Sequence, residues 1–295
     1  MTIPEGQLQA WSHQGATASA SALYERIQNA LQNDGALRGQ NFEVFLQGSY
    51  RNSTNIRGDS DVDVVVRLND IYMSEYGVLD VTRSVVEGQS SFAACTFIDF
   101  RRDVLNAIRR AFPSHHITEG GKSIKIPRTS HNIPADVVPC LEYRRYFPSQ
   151  TVLGNVTYID GIWLWDVQRN YAITSYPKQS YDNGVAKHKR TNQWYKPTVR
   201  IFKNARGWME DNGLIQSGTV SSHAIECLLC NVPDQHFGSS YGDTFVNVVR
   251  WLNSADLTNF VCQNGIQRLF DSGRWTQQNA RAYIGALIQM WNQWR

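Results

Sequence analysis

The chain has 295 residues, 42% hydrophobic and 12% aromatic, enough to build a sizeable core in one large domain or two closely joined lobes. Its net charge of +3 argues against an affinity that rests on neutralising many phosphates along DNA or RNA, but leaves small nucleotide ligands open. No stretch is apolar enough to cross a bilayer, MTIPEGQLQAWSHQG lacks a signal-peptide pattern, and five cysteines without a regular framework fit a reducing compartment, so a cytoplasmic location is expected.

In chain order, Ala20, Leu23, Ile27 and Leu31 recur at helical spacing, which predicts a long amphipathic helix over 16–32, ended by Gly35 and Gly39. FEVFLQG (Phe42 to Gly48) alternates like a strand and runs into a polar turn over 49–60. DVDVVVRL (Asp61 to Leu68) is β-branched and strand-like, and a second helix is predicted over Phe100 to Phe112. Lys122 to Ile126 and Ala135 to Cys140 read as strands joined by a turn over 127–134, and Gly161 to Tyr176 as a hairpin. After about Lys196 valine-rich alternation gives way to helical periodicity, at 199–209, 222–229, 241–252 and 280–294. The nine Trp are expected to fill gaps between helices. The prediction is an α+β fold: a catalytic lobe with a mixed central sheet over 1–195, and a helical lobe over 196–295 closing the active cleft. The two are linked by the long N-terminal helix or by the segment Tyr181 to Trp194.

The chemistry concentrates in Gly48-Ser49, eleven intervening residues, then Asp61-Val62-Asp63 and a valine run. On a strand, residues two apart share a face, so Asp61 and Asp63 project together while Val62 and Val64 face a core. Two carboxylates that close repel, and a hard divalent cation resolves the conflict. Gly48 permits close backbone approach to a ligand, and the Ser49 hydroxyl with nearby amides can hold phosphate oxygens. Asp136, in IPADVVPCL with Val137, Val138 and Leu141 marking a buried strand, is the best third acid. Such a site fits nucleotidyl transfer with two metal ions. D-x-D at the start of a strand can also be a solvated turn, but the spacing from Gly-Ser and the third acid count against that.

The stretch QGSYRNSTNIRGDSDVDVVV, with ADVVPCLEYRRY, SYPKQSYDNGVAKHKRTNQWYKPTVRIFKNAR and SSHAIECLL, resembles bacterial CD-NTases of the polymerase-β-type nucleotidyltransferase superfamily. These are relatives of animal cyclic GMP-AMP synthase and oligoadenylate synthetase, and the CdnE-like branch is the most similar. The resemblance implies a polymerase-β-like lobe packed against an oligoadenylate synthetase-like helical lobe. It implies two Mg2+ ions, replaceable by Mn2+, at Asp61, Asp63 and Asp136, and nucleoside triphosphates as substrates. The product would be a cyclic dinucleotide second messenger for antiphage defence, sensed by a separate effector protein. By the same resemblance Lys203 contacts the donor triphosphate with Arg200 one turn earlier, Ser222 holds phosphate, and His223 lies near a base. Plain alternatives are a surface lysine, a helix-capping serine and a packed histidine. Ser175, just before Tyr176-Pro177, matches a base-selecting position and implies a preference for purines. A monomer without obligate DNA and without membrane attachment is expected.

Two rival functions stand beside this one: nucleotide transfer to another acceptor (an antibiotic, a protein or a tRNA), and a catalytically silent nucleotide-binding module. Cys227-x-x-Cys230 lies in an apolar helical run and, lacking a second pair, reads as packed helix cysteines. No inserted zinc module for DNA is found. Spacings such as Gly154 to Gly161 read as loops.

Overall fold

The computed structural model describes residues 2–58, 61–76, 96–130, 133–146, 157–271, 273 and 275–294. Gly154 and part of the 127–134 connection lie outside them. The first elements are α1 (Glu5–Ser12), α2 (Ala18–Gln32), β1 (Phe42–Gln47), α3 (Gly48–Asn52), β2 (Val62–Tyr76) and α4 (Phe97–Ala111). Then come β3 (Thr118–Glu119), β4 (Ile124–Ile126), β5 (Ala135–Tyr146), β6 (Tyr158–Asp166) and β7 (Tyr171–Ser175). Helices α5 (Pro177–Arg190), α6 (Tyr195–Asp211), α7 (Ser222–Cys230), α8 (Tyr241–Ser254) and α9 (Gln277–Gln293) follow. They fall into two compact units: Thr17–Tyr50 with Asp61–Lys178, and Met1–Ala16 with Arg51–Ser60 and Gln179–Arg295.

The first unit is a mixed sheet in the order β1-β2-β5-β4-β3, with β6 paired to β5 and β7 to β6. Strands β2 and β5 are parallel, and the other pairs are antiparallel. Period-2 alternation sorts the valines of β2. Val62, Val64, Val66 and Leu68 join Leu23, Ile27 and Leu31 of α2 and Phe100, Val104 and Ile108 of α4 in one core. Val65 turns to the other face, with Val138, Cys140, Ile162 and Leu164. Helix α4 begins three residues before its periodicity becomes visible, because the Thr96 hydroxyl accepts the Asp99 amide and caps a first turn. Strand β2 outlasts its apolar run: after an irregularity between Leu68 and Tyr72 it continues to Tyr76, opposite Tyr146.

The second unit is helical. Val199, Phe202, Ala205 and Met209 give α6 a fully buried stripe, packed with Ile225 and Leu228 of α7, Val248 and Leu252 of α8, and Ile284 and Leu287 of α9. Trp11, Trp194, Trp208, Trp251, Trp275, Trp291 and Trp294 belong to this core or its margin, as expected of gap-filling aromatics. Most of the Tyr181 to Trp194 segment is helix α5, which buries only Gly184 and Lys187 and so lacks the apolar stripe that would reveal it. No helix among the described residues is long and apolar enough to cross a membrane.

Candidate active site

Strand pairing brings two of the acids together. Asp63 on β2 and Asp136 on β5 are direct partners in the parallel register, about 4.8 Å apart across the ladder. Both lie on the face that carries Val65 and Val138, away from the α2–α4 core. Asp61 stands one residue before β2, exposed, where the Val62 amide bonds the Pro134 carbonyl. Its charge reaches Asp136. Burial pushes the Asp136 carboxyl above its ordinary range, and the Asp61 charge adds to that, against the opposing effects of Lys125 and a hydrogen bond with Ser123. Lys125 and Ser123 went unnoticed in the sequence. Lys125 faces Asp136 directly across the β4–β5 ladder, which only the pairing reveals.

Gly48 also accommodates its neighbour on β2. Its φ of +66° is left-handed, and a Cβ there would overlap the Asp63 carboxylate, so the space it clears is taken by that acid. Ser49 follows in α3. Gln47 pairs with Asp63 from the other side, and its buried Oε1 has no hydrogen-bond partner among the described residues. Three carboxylates, one pushed toward protonation chiefly by burial, and an orphaned amide oxygen form an oxygen-rich donor set. That set suits a hard divalent cation, which would relieve the repulsion and satisfy the oxygen. Asp61, Asp63 and Asp136 are the residues able to hold it.

In the helical unit Arg200 and Lys203 are tied to Ser53 and Thr54. Arg200 donates to the carbonyls of Ser12 (2.5 Å) and Ser53 (2.6 Å). Lys203 is almost fully buried; its ammonium pairs with Glu226 Oε1 at 2.5 Å and donates to the Thr54 carbonyl at 3.1 Å. Burial pushes the Glu226 carboxyl up, but the charge of Lys203 with hydrogen bonds from Lys203 and Thr54 outweighs it, and the net shift is downward. The helix cap at α7 is Ser221, which accepts the Ala224 amide, so Ser222 is not the capping residue; its hydroxyl accepts from Arg206 at 3.0 Å. His223 is exposed, with Nε2 3.4 Å from Cys227 Sγ.

Two more cations emerge here. Arg51 stacks over the Tyr181 ring at 4.1 Å, and Lys196 lies 6.0 Å from the same ring. Burial lowers the Lys196 pKa, and the charges of Arg200 and Arg51 lower it further. A half-buried group of like charges is the electrostatic counterpart of the acid cluster, and it favours an anion. Ser175 ends β7, paired with Ile162, and Gly161 leaves room for its carbonyl and the Tyr176 ring.

With this geometry established, its relatives are informative. A family model described as the cGAS/DncV-like nucleotidyltransferase C-terminal helical domain matches residues 182–292. The chain is 42% identical over 296 residues to a cyclic UMP-AMP synthase of Rhodothermus marinus, covering 100% of this chain and 99% of that one. It is 33% identical to a cyclic dipurine nucleotide synthase of Elizabethkingia meningoseptica, over 99% of this chain and 98% of the relative. A solved structure of the Rhodothermus marinus CdnE c-UMP-AMP synthase with Apcpp and Upnpp superposes with a TM-score of 0.88 at 40% identity, over 99% of this chain and 97% of that one. The fold and these relatives define a nucleotidyltransferase. The chain belongs to the cGAS/DncV-like nucleotidyltransferase family, among the CdnE-type cyclic nucleotide synthases.

Proposed function

We propose that this protein condenses two nucleoside triphosphates into a cyclic dinucleotide, releasing pyrophosphate at each of two successive transfers. The pairing of Asp63 with Asp136, under the charge of Asp61, carries the reading. These acids would hold two Mg2+ ions, or Mn2+ in their place; bound there, such ions neutralise triphosphate charge and acidify a sugar hydroxyl. Each transfer forms a bond from the attacking hydroxyl oxygen to the α-phosphorus and breaks the bond to the pyrophosphate oxygen. We assign Asp136 the position nearest the attacking hydroxyl, with Lys125 offsetting part of its charge. Gly48 keeps Asp63 in place, and Ser49 offers hydroxyl and amide to phosphate.

Lys203, Arg200 and Ser222 are proposed to hold the donor triphosphate, and the polarity around Lys196 and Arg51 supports adding those two. Lys203 has a second task in its pair with Glu226, so its variants need both an activity and a stability readout. The relatives include enzymes named for joining uridine to adenosine and for joining two purines. Within that range we propose that Ser175 leaves room for a purine. Ser175→Asn should move nucleotide use toward pyrimidines by about tenfold, since an amide offers a donor and an acceptor to a pyrimidine edge. A parent enzyme that joins only UTP and CTP would sink the assignment. We further propose that the product serves as a second messenger in antiphage defence, read by a separate effector, and that the enzyme works as a cytoplasmic monomer without obligate DNA.

The deciding experiment is mass spectrometry of products from all four nucleoside triphosphates with Mg2+ or Mn2+, before and after phosphatase. A phosphatase-resistant cyclic product supports the reading. Nucleotide attached only to an added antibiotic, protein or tRNA would establish the rival transferase instead, and no turnover in any condition would favour a silent binding module.

A further inference from the structure

Apart from the acid cluster, one group of metal-ligating side chains stands out. His223 Nε2, Cys227 Sγ and Cys262 Sγ all lie within 4.8 Å of one another. His223 and Cys227 are four residues apart on α7 and share a helix face, with Nε2 and Sγ 3.4 Å apart. Cys262 arrives from a tight turn after α8. Its amide donates to the Gln267 carbonyl at 2.8 Å, and its carbonyl accepts from the Gly265 amide at 2.8 Å. Asn231, just after α7, clamps that turn to the helix. Its side chain donates to both the Cys227 and Val261 carbonyls and accepts the Val261 amide. The Gln263 amide donates to Cys227 Sγ at 3.2 Å, which ties the residue after Cys262 directly to the helix sulfur.

We infer that His223, Cys227 and Cys262 form a binding site for a soft divalent ion, Zn2+ by its chemistry, separate from the carboxylate site and independent of its assignment. Tetrahedral zinc with sulfur at about 2.3 Å and nitrogen at about 2.0 Å sets neighbouring ligand atoms some 3.5–3.8 Å apart. The His223–Cys227 separation already matches this, and the remaining distances need only small side-chain movements. Cys227 is buried, Cys262 half-buried and His223 exposed, so the ion enters from solvent on the histidine side and keeps water in its fourth position. Binding deprotonates both thiols and releases two protons. The ion would tie the 257–269 turn to α7, the helix that also carries Ser222 and Glu226. Of the Cys227-x-x-Cys230 pair only Cys227 belongs to the group; its partners are His223 within the helix and Cys262 far along the chain.

The test is Co2+ titration of chelator-treated, reduced full-length protein without nucleotide, followed by Zn2+ competition. The expected result is a thiolate-to-cobalt charge-transfer band in the near ultraviolet that saturates at one ion per chain and is displaced by Zn2+. The band should persist in the Asp61→Asn, Asp63→Asn double variant and vanish in Cys262→Ser. His223→Gln should weaken binding by about tenfold to a hundredfold, and Zn2+ should raise Tm by roughly 5 °C in the parent and in the double aspartate variant but not in Cys262→Ser. Cobalt held by carboxylates alone gives no such band. Absence of the band, or an equal band in Cys262→Ser, overturns the proposal. So does isolated protein lighter by two hydrogens through a Cys227–Cys262 disulfide that chelator and Zn2+ leave unaffected. Should Cys227→Ser fail to fold, the less buried Cys262 and His223 positions still decide.

Discussion

The sheet unit and the helical unit set their acids in opposite surroundings. In the helical unit two acids answer buried lysines: Glu226 with Lys203 at 2.5 Å, and Asp234 with Lys187 at 2.6 Å. In the sheet unit Asp136 pairs with Asp63 across the ladder, and burial and the Asp61 charge work against its ionisation, with Lys125 and Ser123 opposing only part of it. A matched pair maintains the fold, whereas an excess of one sign in a confined space is a binding site awaiting the other. Mutating an acid should therefore have opposite consequences in the two units.

The largest expected effect is on turnover. Asp61→Asn or Asp63→Asn should reduce product formation by on the order of a thousandfold or more, with Tm unchanged or slightly raised as repulsion is relieved. A loss of stability on the scale of a broken ion pair would erase the contrast between the units. Next, Gly48→Ala introduces a Cβ into the Asp63 carboxylate at a left-handed backbone position. It should lower activity by about a hundredfold and stability by about 1–3 kcal/mol, readable from kcat beside urea unfolding. Unaltered kcat would show that Asp63 need not sit where Gly48 places it.

Glu226→Ala leaves a buried ammonium without its counter-ion and should cost about 3–5 kcal/mol. The parent should also show the sign of a depressed carboxylate. The Glu226 contribution is complete above its ordinary value of 4.5 and is lost as pH falls below it toward the folded-state pKa. Unfolding curves across that window, for parent and Glu226→Gln, test this. The smallest effect concerns His188, which burial, Lys196 and Arg200 hold at about 4. Its neutral form is the folded one, so stability should fall by about 1 kcal/mol, after solvent screening, between pH 6.5 and 4 as the unfolded chain takes up the proton. His188→Gln should flatten that slope; an unchanged slope would show that burial and the charges of Lys196 and Arg200 do not hold this imidazole neutral.

Much of this was legible before any coordinates. The helix α2 stripe, the alternation of β1 and β2, and the helical periodicity after Lys196 are local patterns, and the side chains that create them are the ones that become buried. What stayed hidden lacked an apolar pattern. Helix α5 buries a glycine and a lysine, and the end of β2 is polar and irregular. Ser222 and Ser221 were indistinguishable as caps in sequence, since one residue of register decides which hydroxyl meets the Ala224 amide.

The acids divide in the same way. Asp61 and Asp63 stand out in the sequence by their two-residue spacing ahead of a β-branched run, although the strand itself begins only at Val62, so alternation along β2 fixes the face of Asp63 and not that of Asp61. That Asp136 lies beside Asp63, that Lys125 faces Asp136, and that Gly48 makes room for a carboxylate were decided only by tertiary structure. The same holds for Cys262 meeting Cys227. Parallel pairing and loop docking join positions far apart in the chain, and no local periodicity records which strand or turn will become the neighbour.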